Sequence, residues 1–152
     1  MERARETLTI RLPEPRDIDA ILAIQSACPE ISQWTMWDYE RVVRGEMAGW
    51  VAEEGAEVVG FLVARRVASD LEILNFAVGA QARHRGVGSR LFREALEWGR
   101  MFQAETAVLE VRASNLAALD FYRRHNFQVS HRRPRYYTAP IEDALLLIAP
   151  LR

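Results

Sequence analysis

One stretch near the middle of the chain limits the folds open to it. Leu71 to Val78 is a continuous apolar run of strand length, Gly86 to Phe102 carries apolar residues at helical spacing, and Thr106 to Val111 is again β-branched and apolar. A strand, a helix and a second strand in that order form a right-handed crossover between roughly parallel neighbours. Val87, Leu91, Ala95, Trp98 and Phe102 make one stripe of the helix, with Arg90, Arg93, Glu97 and Arg100 on the opposite side, so the helix can lie on a sheet. The connection into it is a short basic turn, Arg83-His84-Arg85-Gly86-Val87-Gly88-Ser89. The first N–H groups of a helix lack intrahelical partners and sit at the positive end of its dipole, which suits a phosphate. Glycine allows close approach there, and Arg83 and Arg85 add charge-assisted donors. Taken alone, the turn reads equally as a plain helix start. Leu91 stands where a dinucleotide fingerprint places its third glycine, and no Lys-Ser/Thr pair makes a P-loop.

The rest of the chain supplies more of the same layers. Thr7 to Leu12 alternates as a strand and is closed by Pro13 and Pro15. From Asp17, Ile18, Ile21, Leu22 and Ile24 recur at helical spacing until Pro29. Trp37 to Met47 reads as a second helix, with Thr35 as its N-cap and Gly49 past its end. Trp50 to Glu53 and Glu57 to Arg66 form a hairpin around Glu54-Gly55-Ala56. Leu116 to Arg124 is a short helix capped by Ser114 or Asn115 and ended by Asn126, which tolerates the left-handed conformation. Strands at Phe127 to His131 and Asp143 to Ala149 flank a polar loop with Pro134 and Pro140. The expectation is an α/β single domain over residues 1–152, with a mixed sheet of six to seven strands and about four helices.

Composition narrows the partners. The chain has 152 residues and a net charge of −1, which disfavours a nucleic acid or an anionic membrane as a bulk electrostatic partner. Cys28 stands alone, so no internal disulfide forms and a reducing compartment fits. Met1 to Glu6 is not followed by a signal-peptide core, and no apolar run reaches membrane-spanning length, so a cytoplasmic location is expected. His84, His125 and His131 lack metal-ligand spacing, and no metal is expected.

Three polar residues downstream of the turn each have an ordinary reading. Glu110 interrupts an apolar strand on the face shared with Val108 and Arg112, where a surface salt bridge to Arg112 would account for it. Asn115 is a natural helix cap, and Tyr122 beside Phe121 is a natural core tyrosine. Together with their neighbours they carry a resemblance. Leu74-Asn75-Phe76-Ala77-Val78, Arg83-x-x-Gly86-x-Gly88, Leu109-Glu110-Val111-Arg112-Ala113-Ser114-Asn115, Phe121-Tyr122 and Asn126-Phe127 resemble the GNAT superfamily of N-acetyltransferases, and within it the RimI-type enzymes that acetylate protein N-termini. The resemblance covers nearly the whole chain, and Arg135-Tyr136-Tyr137, Glu142-Asp143-Ala144 and Gln33-Trp34-Thr35 extend it. Ala80, Ala82 and Asn126 depart from it, standing where the family usually has proline, an aromatic residue and glycine.

The resemblance implies a GNAT fold whose parallel strands splay apart near Val78 and Val111 to admit acetyl-CoA. It assigns the pantetheine and thioester to backbone groups of Phe76 and Val78, and the oxyanion donor to a backbone N–H near Phe76 or Ala77. It assigns the pyrophosphate to Arg83, His84, Arg85, Gly86, Val87, Gly88 and Ser89, and a further cofactor contact to Asn115. Glu110 is the implied general base, directly or through water, and Tyr122 the acid for the leaving thiolate. The implied partners are acetyl-CoA and a protein N-terminus, such as that of a ribosomal protein. An α-amine suits this base, since removing its proton at pH 7 costs about 1 to 1.4 kcal/mol against about 4.6 for a lysine. Trp34, Trp37, Tyr136 and Tyr137 either wall the acceptor entrance or serve as core. His131-Arg132-Arg133 reads as a solvated face or as a contact to the CoA 3′-phosphate or an acidic peptide. Two other functions share the pattern: acetylation of a small amine such as a polyamine or antibiotic, and non-catalytic acetyl-CoA binding.

Overall fold

The computed structural model describes residues 7–151; the charged start Met1 to Glu6 and Arg152 lie outside the described residues. Among them are seven strands and four α-helices: β1 Leu8–Arg11, α1 Ile18–Ser26, α2 Met36–Val43, β2 Ala48–Glu54, β3 Glu57–Val67, β4 Asp70–Val78, α3 Val87–Met101, β5 Thr106–Arg112, α4 Leu116–Arg124, β6 Gln128–Thr138 and β7 Ile141–Pro150. The strands form one mixed sheet in the order β1-β2-β3-β4-β5-β7-β6. The expected α/β architecture is therefore borne out, and among the described residues no helix is long and apolar enough to cross a membrane. The chain divides into two compact units, one running through Ala64 and resuming at Asn75–Ala95, the other Arg65–Leu74 with the chain from Leu96 onward.

In the first unit, β1, β2 and β3 pair antiparallel in sequence order. Its core is assembled from Ile18 and Ile21 of α1, Tyr39 and Val42 of α2, Val51 and Phe61 of the hairpin, and Val87, Leu91 and Phe92 of α3, all buried. Thr35 caps α2 as expected: its hydroxyl accepts from the Asp38 N–H at 3.3 Å, and the Asp38 carboxylate accepts in return from the Thr35 N–H at 2.8 Å. The helix stops at Val43, earlier than its apolar spacing suggests, because Gly45 takes a left-handed conformation at φ +85°. Gly49, read as the terminator, instead lies within β2, where a Cβ would stand 2.4 Å from Val42 Cγ1.

In the second unit, β4 and β5 are parallel, as the strand-helix-strand order requires, and β5, β7 and β6 continue antiparallel. The β4–β5 ladder joins Asp70 to Thr106, Leu71 to Ala107 and Glu72 to Val108, and among the described residues it ends there, although both strands run on. Helix α4 has the expected bounds, with Asn126 left-handed behind it at φ +69°. The largest departure is at the end of the chain. The polar loop expected around Pro134 is mostly strand, since β6 extends to Thr138. It is the outermost strand of the sheet and exposed along nearly its whole length, so Pro134 costs no ladder bond that a central strand would need. A bulge between Arg133 and Tyr137, with Arg135 left-handed at φ +53°, absorbs the extra residues.

Candidate active site

The basic turn in the first unit is a backbone cradle. After β4, a short 3₁₀ turn at Ala80–Ala82 leads to His84 and Gly86, both left-handed at φ +63° and +80°, and the Arg90 N–H closes the first turn of α3 on the Gly86 carbonyl at 3.1 Å. A Cβ on Gly86 would meet nothing within 4 Å, so this side of the turn is open to a docking group. The N–H groups of Val87 and Gly88 belong to the first helical turn, whose donors have no partner within the helix itself. The two arginines do less than the sequence suggests. Arg83 is a brace, its Nε donating to the Val78 carbonyl at 3.2 Å and its Nη2 to Cys28 Sγ at 3.2 Å. Arg85 pairs with Glu54 at 2.8 Å.

Strand β4 enters this turn with Asn75 and Ala77 buried and Phe76 and Val78 half-buried. Phe76 meets Phe92 of α3 edge-on at 4.9 Å. Asn75 anchors a satisfied buried network: its amide donates to the Ser32 carbonyl and the Tyr39 hydroxyl, both at 3.0 Å, and Tyr39 donates to Gln25 Oε1. Gln25 in turn holds Trp34 through both main-chain groups, at 2.8 and 3.0 Å. Trp34 is half-buried against Tyr39, whereas its neighbour Trp37 is largely exposed. Burial is the main cause that pushes the Tyr39 phenol above its ordinary range.

The second unit gathers a different set. Register places Glu110 opposite Leu146, Arg112 opposite Ala144, and Arg133 of β6 opposite the same Ala144, so these side chains share a face across three strands. Glu110 does not pair with Arg112. Its Oε1 lies 3.2 Å from Arg133 Nη1, across β7. Arg112 instead pairs with Glu142 at 3.3 Å and stacks over Tyr137 at 4.3 Å. Arg133 lies over the Tyr136 ring at 5.5 Å, and a hydrogen bond to Glu110 holds the Tyr136 phenol above its usual value. Burial, reinforced by the Glu110 charge, pushes Tyr137 up to about 12. Glu110, Tyr136 and Tyr137 are thus brought together, and Arg133, read as part of a solvated run, joins them.

Asn115 caps α4, its Oδ1 accepting from the Ala118 N–H at 3.2 Å, in line with its ordinary reading. Tyr122 is buried, edge-on to Phe121 and Phe127 at 5.6 and 5.8 Å, and burial raises its phenol well above the normal range. It therefore holds its proton throughout the physiological range.

The acetyltransferase (GNAT) family pattern matches residues 13–127. The chain belongs to the GNAT acetyltransferase family. As a GNAT enzyme it is an acetyl-CoA-dependent N-acetyltransferase. It is 32% identical over 133 residues to a putative ribosomal protein bS18-alanine N-acetyltransferase of Bacillus subtilis, a match covering 86% of this chain and 87% of the relative. It is 33% identical over 156 residues to an N-alpha-acetyltransferase of Sulfolobus acidocaldarius, covering 93% of this chain and 92% of that one. Arabidopsis thaliana NAA60 in complex with acetyl-CoA has the same fold, with a TM-score of 0.83 at 22% identity over 95% of this GNAT chain and 98% of that one.

Proposed function

We propose that this GNAT enzyme acetylates the N-terminal α-amine of a protein, with Glu110 as the general base. The observation that carries the reading is the setting of Glu110: a quarter-exposed carboxylate in a strand whose alternate residues are buried, met by Arg133 and Tyr136 on the solvent-facing edge strand. The names of the Bacillus and Sulfolobus relatives support an N-terminal acceptor, and the terminus of a ribosomal protein is the first to try. The family match runs through both compact units, which supports one catalytic domain, and we place it in the cytoplasm.

Bound acetyl-CoA supplies an activated acetyl thioester and leaves a thiol. In this reading the first-turn N–H groups of α3 and the left-handed turn from Arg83 to Ser89 receive its pyrophosphate, a role the open side of Gly86 supports. Backbone groups of Phe76 and Val78 would hold its arm, and a backbone N–H near Phe76 or Ala77 would stabilise negative charge on the acetyl oxygen. Asn115, with its Oδ1 engaged in the cap, has its amide nitrogen left to contact the donor. Glu110 takes the amine proton. Tyr122, kept protonated by burial, donates to the departing sulfur. Trp34, Tyr136 and Tyr137 contact the acceptor.

The test is thiol release from acetyl-CoA with three acceptors: peptides with a free N-terminus, N-blocked lysine peptides, and polyamines. Turnover on the first class is expected; turnover confined to polyamines would overturn the reading.

A further inference from the structure

Glu110 meets an acceptor with one of its oxygens already taken. Arg133 Nη1 is 3.2 Å from Glu110 Oε1, so a protonated amine, or a water relaying its proton, competes with the guanidinium for that oxygen. Three other carboxylates of its own unit already have partners. Glu142 is held by Arg112, Asp143 by Arg132, and Glu72 by Arg65. Tethered to β6, the Arg133 guanidinium stays within a side-chain length of the incoming amine, beside the first residues of the acceptor. An acceptor carrying a carboxylate there restores the lost pairing, and one carrying a second cation is repelled.

We propose that Arg133 is a specificity-determining residue, which closes Glu110 and, once displaced, selects acceptors bearing an acidic side chain within their first two residues. This rests on the proposed N-terminal acceptor. It also gives Arg133 a task that simple surface solvation would not require, since its guanidinium reaches across β7 to Glu110.

Three peptides with a free N-terminal alanine, identical except for Glu, Gln or Lys at the second position, test it through kcat/KM for thiol release. Exposed charge contacts shift binding by about two- to fivefold each, so Glu over Lys is expected at about tenfold, with Gln between them. In Arg133→Gln the Glu-to-Lys ratio should fall to about one; because the ratio is taken within a variant, a general loss of activity cancels. With the unaltered enzyme, 0.5 M NaCl should compress the same ratio, a measurement that does not depend on any variant folding. Equal rates on the three peptides, a ratio that survives Arg133→Gln, or one indifferent to salt would each overturn the inference. Failure of all three peptides beside turnover of polyamines would instead show that the N-terminal reading itself is wrong, and the inference would go with it.

Discussion

Replacing Gly60 with alanine should disturb the proposed pyrophosphate turn from underneath. Gly60 lies in β3 opposite Ala52, and a Cβ built on it would stand 3.1 Å from Leu91 Cδ1, 3.2 Å from the Ala77 carbonyl oxygen and 3.4 Å from Val87 Cγ1. Only the Leu91 methyl can swing aside. The Ala77 oxygen is main chain, and Val87 is a β-branched, buried residue at the very start of α3, stiff about χ1. The added methyl must therefore push the start of the helix outward by a few tenths of an ångström. Overpacking of this kind costs about 1 to 3 kcal/mol, which for a chain of this size lowers Tm by roughly 2 to 12 °C. The same shift moves the first-turn N–H groups, so KM for acetyl-CoA should rise by about three- to tenfold, while kcat at saturating donor stays within about twofold. Thermal unfolding and initial rates against donor concentration give the two numbers. A variant with unchanged Tm and unchanged KM would refute the claim that the absent Cβ of Gly60 seats the cradle.

Glu110→Gln should lower kcat by about 10² to 10⁴, with a deficit larger at pH 6 than at pH 9; a normal rate across that range would remove Glu110 from the mechanism. Tyr122→Phe should turn over slowly with near-normal acetyl-CoA affinity by calorimetry, and a variant unable to bind the donor would assign Tyr122 to packing alone. Asp17 is buried, receives two hydrogen bonds from Arg11 at 2.8 and 2.9 Å and one from the Glu14 N–H at 2.7 Å, and is held below the usual carboxylate range chiefly by Arg11. Asp17→Asn should cost about 3 kcal/mol in urea unfolding at pH 7. Because the folded pKa is the lower one, that gap should narrow as pH falls below about 4, where unfolded Asp takes up its proton, and a constant gap down to pH 2 would contradict the assignment.

What the sequence displays well is whatever is set by short-range pattern. The crossover from β4 through α3 to β5, the Thr35 cap, α4 and the left-handed Asn126 all follow from periodicity or from one residue's preferred backbone geometry. The turn was equally readable, but its chemistry sits in the main chain, and its arginines are spent on Val78, Cys28 and Glu54. The ordinary reading of Glu110 as the partner of Arg112 names the wrong neighbour. Residues two apart in a strand share a face and invite pairing, yet Arg133, 23 positions later in the numbering, wins because β6 is shifted by bulges that no local pattern specifies. The Gln25-Tyr39-Asn75 network was invisible for a related reason: each member is an unremarkable polar residue until the fold stacks three elements around it.

That network has a consequence for how the segment before α2 can be exchanged. Asn75 precedes Phe76 on β4, and through Tyr39 and Gln25 it fixes the main chain at Ser32 and Trp34. The segment from Cys28 to Thr35 is thus keyed to the strand that leads into the basic turn. Grafting that segment from another acetyltransferase without its matching partners at 25, 39 and 75 would strand buried amide and hydroxyl groups, each costing about 1 to 3 kcal/mol. Exchanged as a set, the four pieces should transplant as one heritable cassette, and chimeras that respect this lock should fold where simple loop swaps do not.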